Sequence, residues 1–415
     1  MSAIQQKFSN AFYAILSLPA TAMGFALCVQ ISALSWILST QYKLDIHEVG
    51  IVWAAGPVAG IIGQLLVGII SDKVWFWGGR RRPFILIGGT IAAISLLALT
   101  NLGGISEFSG ISLLAVAIMV ALTLDLSINI SFNPTRSIIA DVTPEGEKRT
   151  KGYTWMQTVS GMFGVLAYAI GAWFGNYTLI YFGIALVFLF SVIPVFFIRE
   201  PVTLTATSEN PKEKKHASTE LHQLYRIYLA HGFCWLGIQT MFVYMFFYVK
   251  DTMMISADDQ AGQVVSLSFL VLNTVGFILP ATVLEPLAKK IGRVKVHVLA
   301  IGFMAAGYLL ITLFGTSVTL VYVFMGIAGI GWAATVSLPF AIMTEKVDKS
   351  RMGLFMGIFN LSVVIPQLIV SLGFGSFIQQ SSNKNIIFII CTICLAISTI
   401  LWSLVKENPD SNSNN

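Results

Sequence analysis

Twelve apolar runs, each near the 20 or so residues that a helix needs to cross a bilayer core, divide this 415-residue chain. They lie at roughly 12–39, 46–70, 83–101, 111–140, 152–174, 178–198, 225–249, 262–288, 296–314, 318–343, 352–376 and 385–405. Hydrocarbon offers the backbone no hydrogen-bonding partner, so each run must close its bonds within itself as a helix. Only 11% of the residues are charged and 56% are hydrophobic, against about 25% charged in a soluble domain. Most of the surface must therefore face lipid. The net charge of +5 is not a nucleic-acid signal, because the basic residues sit in short loops between apolar runs. All four cysteines fall inside those runs. Cys391 and Cys394 are three apart, share a helix face and have no His or further Cys nearby, which makes them packing residues rather than a redox or metal pair. No metal site is expected. The start, Met1 to Asn10, is polar, and no cleavable leader is expected.

A polar stretch without periodicity, carrying Lys212, Lys214 and Lys215, separates the first six runs from the last six. The expected organisation is an N-terminal bundle at 1–199, a cytoplasmic linker at 200–224, a C-terminal bundle at 225–405 and a disordered tail at 406–415. With both termini inside, the outer loops hold only Lys43, Lys250 and Lys384, leaving 22 of the 25 Lys and Arg on the inner side. That asymmetry sets the orientation by the positive-inside rule. The halves also echo each other. Ser71, Asp72, Gly79, Arg80, Arg81, Arg82 and Pro83 follow helix two, as Glu285, Lys289, Lys290, Gly292 and Arg293 follow helix eight. Pro134 to Asp141, then Lys148 and Arg149, is echoed by Pro339 to Glu345, then Lys349 and Arg351. An all-α membrane protein of two pseudo-symmetric six-helix bundles built as parallel repeats resembles transporters of the major facilitator type.

The fourth run carries the chemistry. Asp125, Asn129 and Arg136 fall within roughly 40° of one another at 100° per residue, so one helix face holds a carboxylate, an amide and a guanidinium. A charge at membrane depth is costly and persists where it meets a water-filled path or a partner. Asp125 and Arg136 are about 16 Å apart along a straight helix, too far for a direct ion pair and suited to lining a path. A carboxyl in such a place has its charged form disfavoured and can load a proton on one side and lose it on the other. Pro134 removes one backbone donor from this helix.

Trp53, Gly56, Pro57, Gly60, Gln64, Gly68, Asp72 and the Gly79-to-Ile85 stretch are similar to the second helix and following loop of plant sucrose transporters. Asp125, Asn129, Pro134, Arg136 and Asp141 resemble that family's fourth helix. Arg149, Gly161, Gly164, Tyr168 and Gly171 resemble its fifth, and Asn360, Pro366, Gln367 and Ser371 its eleventh. The family comprises proton-coupled sugar symporters, near the glycoside–pentoside–hexuronide cation symporters. The resemblance implies that Asp125 is the proton-coupling carboxylate and that Arg136 serves substrate or coupling. An Arg stays charged, so it could bias Asp125 or donate to sugar hydroxyls; snorkelling at the helix end is its plainer role. Helix two has no acidic residue from Ile51 to Ile70, where sodium-using relatives carry carboxylates, which favours H⁺ over Na⁺ as the coupling ion.

Sugars are held by amides, carboxylates and aromatic faces. The candidates within the runs are Gln30, Gln64, Asn129, Gln157, Gln239, Asn273, Asn360 and Gln367, with Trp36, Trp235 and Trp332 for stacking. Asn360 and Gln367, seven apart on one face, stand out. At the inner loops, Asp72 with Arg80, Arg81 and Arg82, Asp141 with Arg149, and Glu345 with Arg351 are expected to form gating pairs. The aromatic stretch Val74 to Trp77 suggests seating at the membrane interface. The leading reading is a monomeric disaccharide:H⁺ symporter of the inner membrane, not an enzyme and without a cofactor, working by rocking of its two halves around a midplane site. A proton-coupled exporter of a small amphipathic compound is the alternative.

Overall fold

The computed structural model describes residues 8–63, 74–144, 146–201, 219–315, 317–347 and 351–407. Each of the twelve apolar runs contains a long helix among the described residues. These are α1 (Asn10–Thr40), α2 (Ile46–Gly63), α3 (Arg82–Leu99), α4 (Leu113–Val142), α5 (Glu147–Phe174), α6 (Asn176–Phe197), α7 (Leu221–Thr252), α8 (Asp258–Ile291), α9 (Arg293–Phe314), α10 (Val318–Thr344), α11 (Leu354–Gln380) and α12 (Ile386–Ser403). Eleven of them are long and apolar enough to cross a membrane. The other, α5, has the length at 28 residues but starts on Glu147, Lys148, Arg149 and Lys151. Among the described residues no strand forms, and the single β-bridge joins Phe76 to Gly79.

The helix ends follow local chemistry. Ser9 Oγ accepts the N–H of Phe12 to open α1. Asp45 and Glu48 form a reciprocal capping box at α2, at 2.9 and 3.0 Å. Pro83 occupies the first turn of α3, where its missing N–H costs nothing. Between α8 and α9 the chain reverses at Gly292, whose φ of 95° disfavours any side chain.

Two compact units divide the chain, Met1–Glu209 and Asn210–Asn415. In the first, α1 packs on α5 and α6, α3 on α4 and α6, and α2 on α4. In the second, α7 packs on α11 and α12, α9 on α10 and α12, and α8 on α10. Each pairing recurs six helices later, so the repeat seen in the loop motifs extends to the packing. Within the units α1 and α7 are strongly enclosed, each burying more than half of its residues. The outward faces carry large apolar side chains, among them Trp173, Phe196, Leu313 and Ile400, as lipid-facing helices require.

The expected boundaries shift at their edges. Residues 221–224 belong to α7 rather than to a linker, and Lys406 and Glu407 are tied into the second unit. The rest of the expected linker (202–218) and tail (408–415), together with Gln64 and Asp72, lies outside the described residues.

Candidate functional site

Asp125 is buried in mid-α4, 4% exposed. Its Oδ2 accepts a hydrogen bond of 2.9 Å from Nε2 of Gln30, itself 4% exposed, on α1. The third wall is α2. A Cβ at Gly56 would stand 3.5 Å from Asp125 Oδ2, and one at Gly63 would come within 2.7 Å of the Asn129 Cβ. Glycine at these positions, seven apart on one helix face, lets α2 lie against the polar face of α4 with no side chain between. Trp53 Nε1 donates to Ser35 Oγ at 2.8 Å and ties α2 to α1. Asn129 turns back on its own helix, donating to the Asp125 carbonyl at 2.8 Å.

Arg136 takes a different position. The helix continues through Pro134 without a break, and the Arg136 guanidinium lies 4.6 Å from the centre of the Phe132 ring. Tyr153 donates to the Arg136 carbonyl at 3.2 Å. Arg136 and Asp125 form no ion pair, in keeping with their eleven-residue separation.

The second unit has a polar and aromatic cluster of its own on α7, α8, α10 and α11. Gln367 Nε2 donates to Gln239 Oε1 at 3.3 Å. Trp332 Nε1 donates to Asn273 Oδ1 at 3.1 Å, and the Trp332 ring meets Trp235 and Phe242 edge-on, with centroids 6.3 and 5.5 Å apart. Trp235 Nε1 donates to His231 Nε2 at 3.0 Å, and the His231 ring stacks on Phe359. Asn360 is half-buried on α11. Amide pairs beside aromatic edges are the groups that bind neutral polyhydroxyl solutes.

The charged loop residues assemble into one arrangement that occurs in each unit. In the first, Arg81 Nε meets Asp141 Oδ2 at 3.0 Å, with both side chains nearly buried. The carboxylate of Glu200 accepts the backbone N–H groups of Arg80, Arg81 and Arg82 at 2.7 to 3.0 Å, capping the positive end of α3. Arg82 donates through its guanidinium to the carbonyls of Gly78 and Val195. In the second unit Arg293 pairs with Glu345. Glu407 accepts the N–H groups of Arg293 and Val294, both at 2.9 Å, at the start of α9.

This corrects two expectations. Glu345 takes Arg293 from another helix, while Arg351, the partner expected from sequence order, lies over the Phe355 ring. Asp141 takes Arg81, and Arg149 Nη2 donates to the Ala140 and Thr143 carbonyls at 3.2 Å each. Burial, reinforced by Glu407 and opposed by Arg293, raises the Glu345 carboxyl above its ordinary 4.5. Glu200 and Glu407 did not stand out in the sequence. Their signal was a basic residue followed by Glu (Arg199-Glu200, Lys406-Glu407) just beyond the last helix of each half.

The comparisons with known proteins agree with this architecture. A sucrose transport protein of Oryza sativa subsp. indica is 28% identical over 435 aligned positions, covering 85% of each chain. A general alpha-glucoside permease of Schizosaccharomyces pombe is 32% identical over 128 positions, covering 29% of this chain and 23% of the permease. The inward-open xylose transporter XylE from E. coli superposes with a TM-score of 0.68 over 96% of this chain and 97% of its own, at 14% identity, a likeness of fold alone. The Major Facilitator Superfamily profile matches residues 16–369 and again 259–415, so the chain with these paired charge clusters belongs to the Major Facilitator Superfamily.

Proposed function

We propose that this protein is a proton-coupled sugar symporter that moves a disaccharide by alternating access, with Asp125 as the proton carrier. The observation that carries the proposal is the Asp125 carboxylate, enclosed in a membrane-crossing helix with the Gln30 amide 2.9 Å away. An isolated charge there would be prohibitive, whereas a carboxyl that alternates between charged and neutral forms has a use. Gln30 suits both forms, since an amide offers a donor to the carboxylate and, after rotation, an acceptor to the acid. Gly56 puts no side chain of its own against the carboxyl, where a Cβ would stand 3.5 Å from Oδ2.

In this reading the Gln239–Gln367 pair and the Trp332–Asn273 pair, with Trp235 and Asn360, receive sugar hydroxyls and ring faces, and Arg136 serves the polar path on α4. The relatives named for sucrose and alpha-glucosides support a glucoside-containing disaccharide as the solute. The charge clusters at Arg81 and Arg293 act as latches that break when the transport cycle turns. The asymmetry of Lys and Arg supports an orientation with both ends in the cytoplasm; the reading also takes the protein as an inner-membrane monomer.

The test is uptake of a disaccharide panel into proteoliposomes under an imposed pH gradient and, separately, a sodium gradient. The expected result is accumulation that requires the pH gradient, ignores sodium and is lost in Asp125→Asn. Uptake driven by sodium alone, or full proton-driven uptake by Asp125→Asn, overturns the coupling assignment.

A further inference from the structure

A cleft of about 460 Å³ opens between the start of α9 and the end of α12, within the size range of roughly 300–1,000 Å³ usual for ligand cavities. Its floor is apolar, formed by Val294, Val298, Leu299 and Val405, and its two charged lining residues are Lys295 and Glu407. We propose that this cleft binds an anionic phospholipid, with the acyl chain along the apolar floor and the headgroup phosphate at the lysines of the rim.

Three observations favour that occupant. First, the cleft lies where one membrane-crossing helix begins at Arg293 and another ends at Ser403, which is the level of the lipid headgroups. Leu299, 52% exposed, continues the apolar surface from the cleft along α9 toward the hydrocarbon. Second, Lys295 lines the cleft, and Lys290 and Lys406 are the sequence neighbours of its lining residues Ile291, Val405 and Glu407. All three are exposed and none has an ion pair among the described residues. Third, the one carboxylate in the cleft is already committed. Both oxygens of Glu407 accept backbone N–H groups of α9 at 2.9 Å, so its charge is offset by the helix end it caps. An ammonium group lining a greasy floor, with two more on residues next to the lining ones in sequence, matches a lipid carrying a net negative headgroup; a zwitterionic lipid gains less from them.

The experiment is native mass spectrometry of the full-length protein titrated with phosphatidylglycerol or phosphatidylcholine. It compares the wild type with Lys290→Gln/Lys295→Gln/Lys406→Gln and with Val298→Trp, which fills the floor. The wild type is expected to hold phosphatidylglycerol in preference to phosphatidylcholine. Each lysine removed is expected to lower phosphatidylglycerol affinity about five-fold with little change for phosphatidylcholine, while Val298→Trp lowers retention of both. Thermal midpoints of the variants, read alongside, confirm that they are folded. Equal retention of the two lipids by the wild type, or undiminished phosphatidylglycerol binding by the triple variant, overturns the proposal. So does affinity that appears only after deletion of residues 408–415, which would assign the cleft to the chain's own tail.

Discussion

Gln30 and Asp125, 95 positions apart in sequence, meet at 2.9 Å with both side chains buried. The amide is the carboxylate's side-chain donor among the described residues, so the two act as one unit. Asp125→Asn is expected to abolish uphill accumulation while leaving sugar exchange partly intact. Gln30→Leu strands a buried carboxylate, at a cost of about 1.5–3 kcal/mol for a hydrogen bond to a charged group. Because the pair is coupled, the double variant should be no worse than Asp125→Asn alone. Uptake and exchange measured in the same proteoliposomes decide it; additive losses would separate the two residues.

Arg81 and Asp141 form a nearly buried ion pair. Removing one partner from such a pair leaves an uncompensated charge and typically costs about 3–5 kcal/mol. Arg81→Gln should therefore lower the thermal midpoint of the purified protein clearly. Arg80→Gln should do so much less, because the cluster uses the Arg80 backbone N–H rather than its guanidinium. Equal shifts from the two variants would mean that the pair carries no special weight.

Glu200 and Glu407 hold equivalent places in the two halves, but Glu200 accepts three backbone N–H groups and Glu407 two. Loss of a capping acceptor costs about 0.5–2 kcal/mol. Both Glu200→Ala and Glu407→Ala are expected to destabilise, Glu200→Ala the more, with thermal unfolding in detergent as the readout. A midpoint unchanged by either substitution would show that the helix ends are satisfied by water.

How far these features were legible depends on the distance over which the physics acts. Helix positions follow from unbroken apolar runs, so α9 and α10 begin within three residues of expectation. Asp125 stood out because a carboxylate in an apolar run has no cheap explanation. Gln30 was one amide among eight, since nothing in its own helix shows that it faces α4. The ion pairs were misassigned for the same reason. Arg149 and Arg351 follow their carboxylates closely in sequence, yet the actual partners Arg81 and Arg293 come from the start of a neighbouring helix, brought there by packing. Glu200 and Glu407 fell into stretches that looked like linker and tail. Comparing the two halves position by position would have paired them.

Gln239 and Gln367 share one hydrogen bond of 3.3 Å in the second unit. If the pair receives sugar hydroxyls, each of Gln239→Leu and Gln367→Leu should raise KM several-fold, about 1 kcal/mol for a neutral hydrogen bond, with kcat largely kept. Unequal effects confined to kcat would point to a role in the conformational cycle instead. Initial uptake rates across sugar concentrations distinguish the two.

Glu345 supplies a pH dependence whose sign follows from its surroundings. Burial, with Glu407 adding to it and Arg293 opposing, raises its carboxyl above the ordinary 4.5 in the folded protein. Between 4.5 and that raised value the folded state binds more protons than the unfolded state, so stability falls as pH rises through this window and then levels off. Glu345→Gln has no such proton to lose. The wild-type thermal midpoint should therefore fall relative to that of Glu345→Gln as pH climbs from below 4.5 towards neutrality. A difference that instead moves in the wild type's favour with rising pH would mean that the ion pair with Arg293 outweighs burial, and that this latch tightens as the carboxyl ionises.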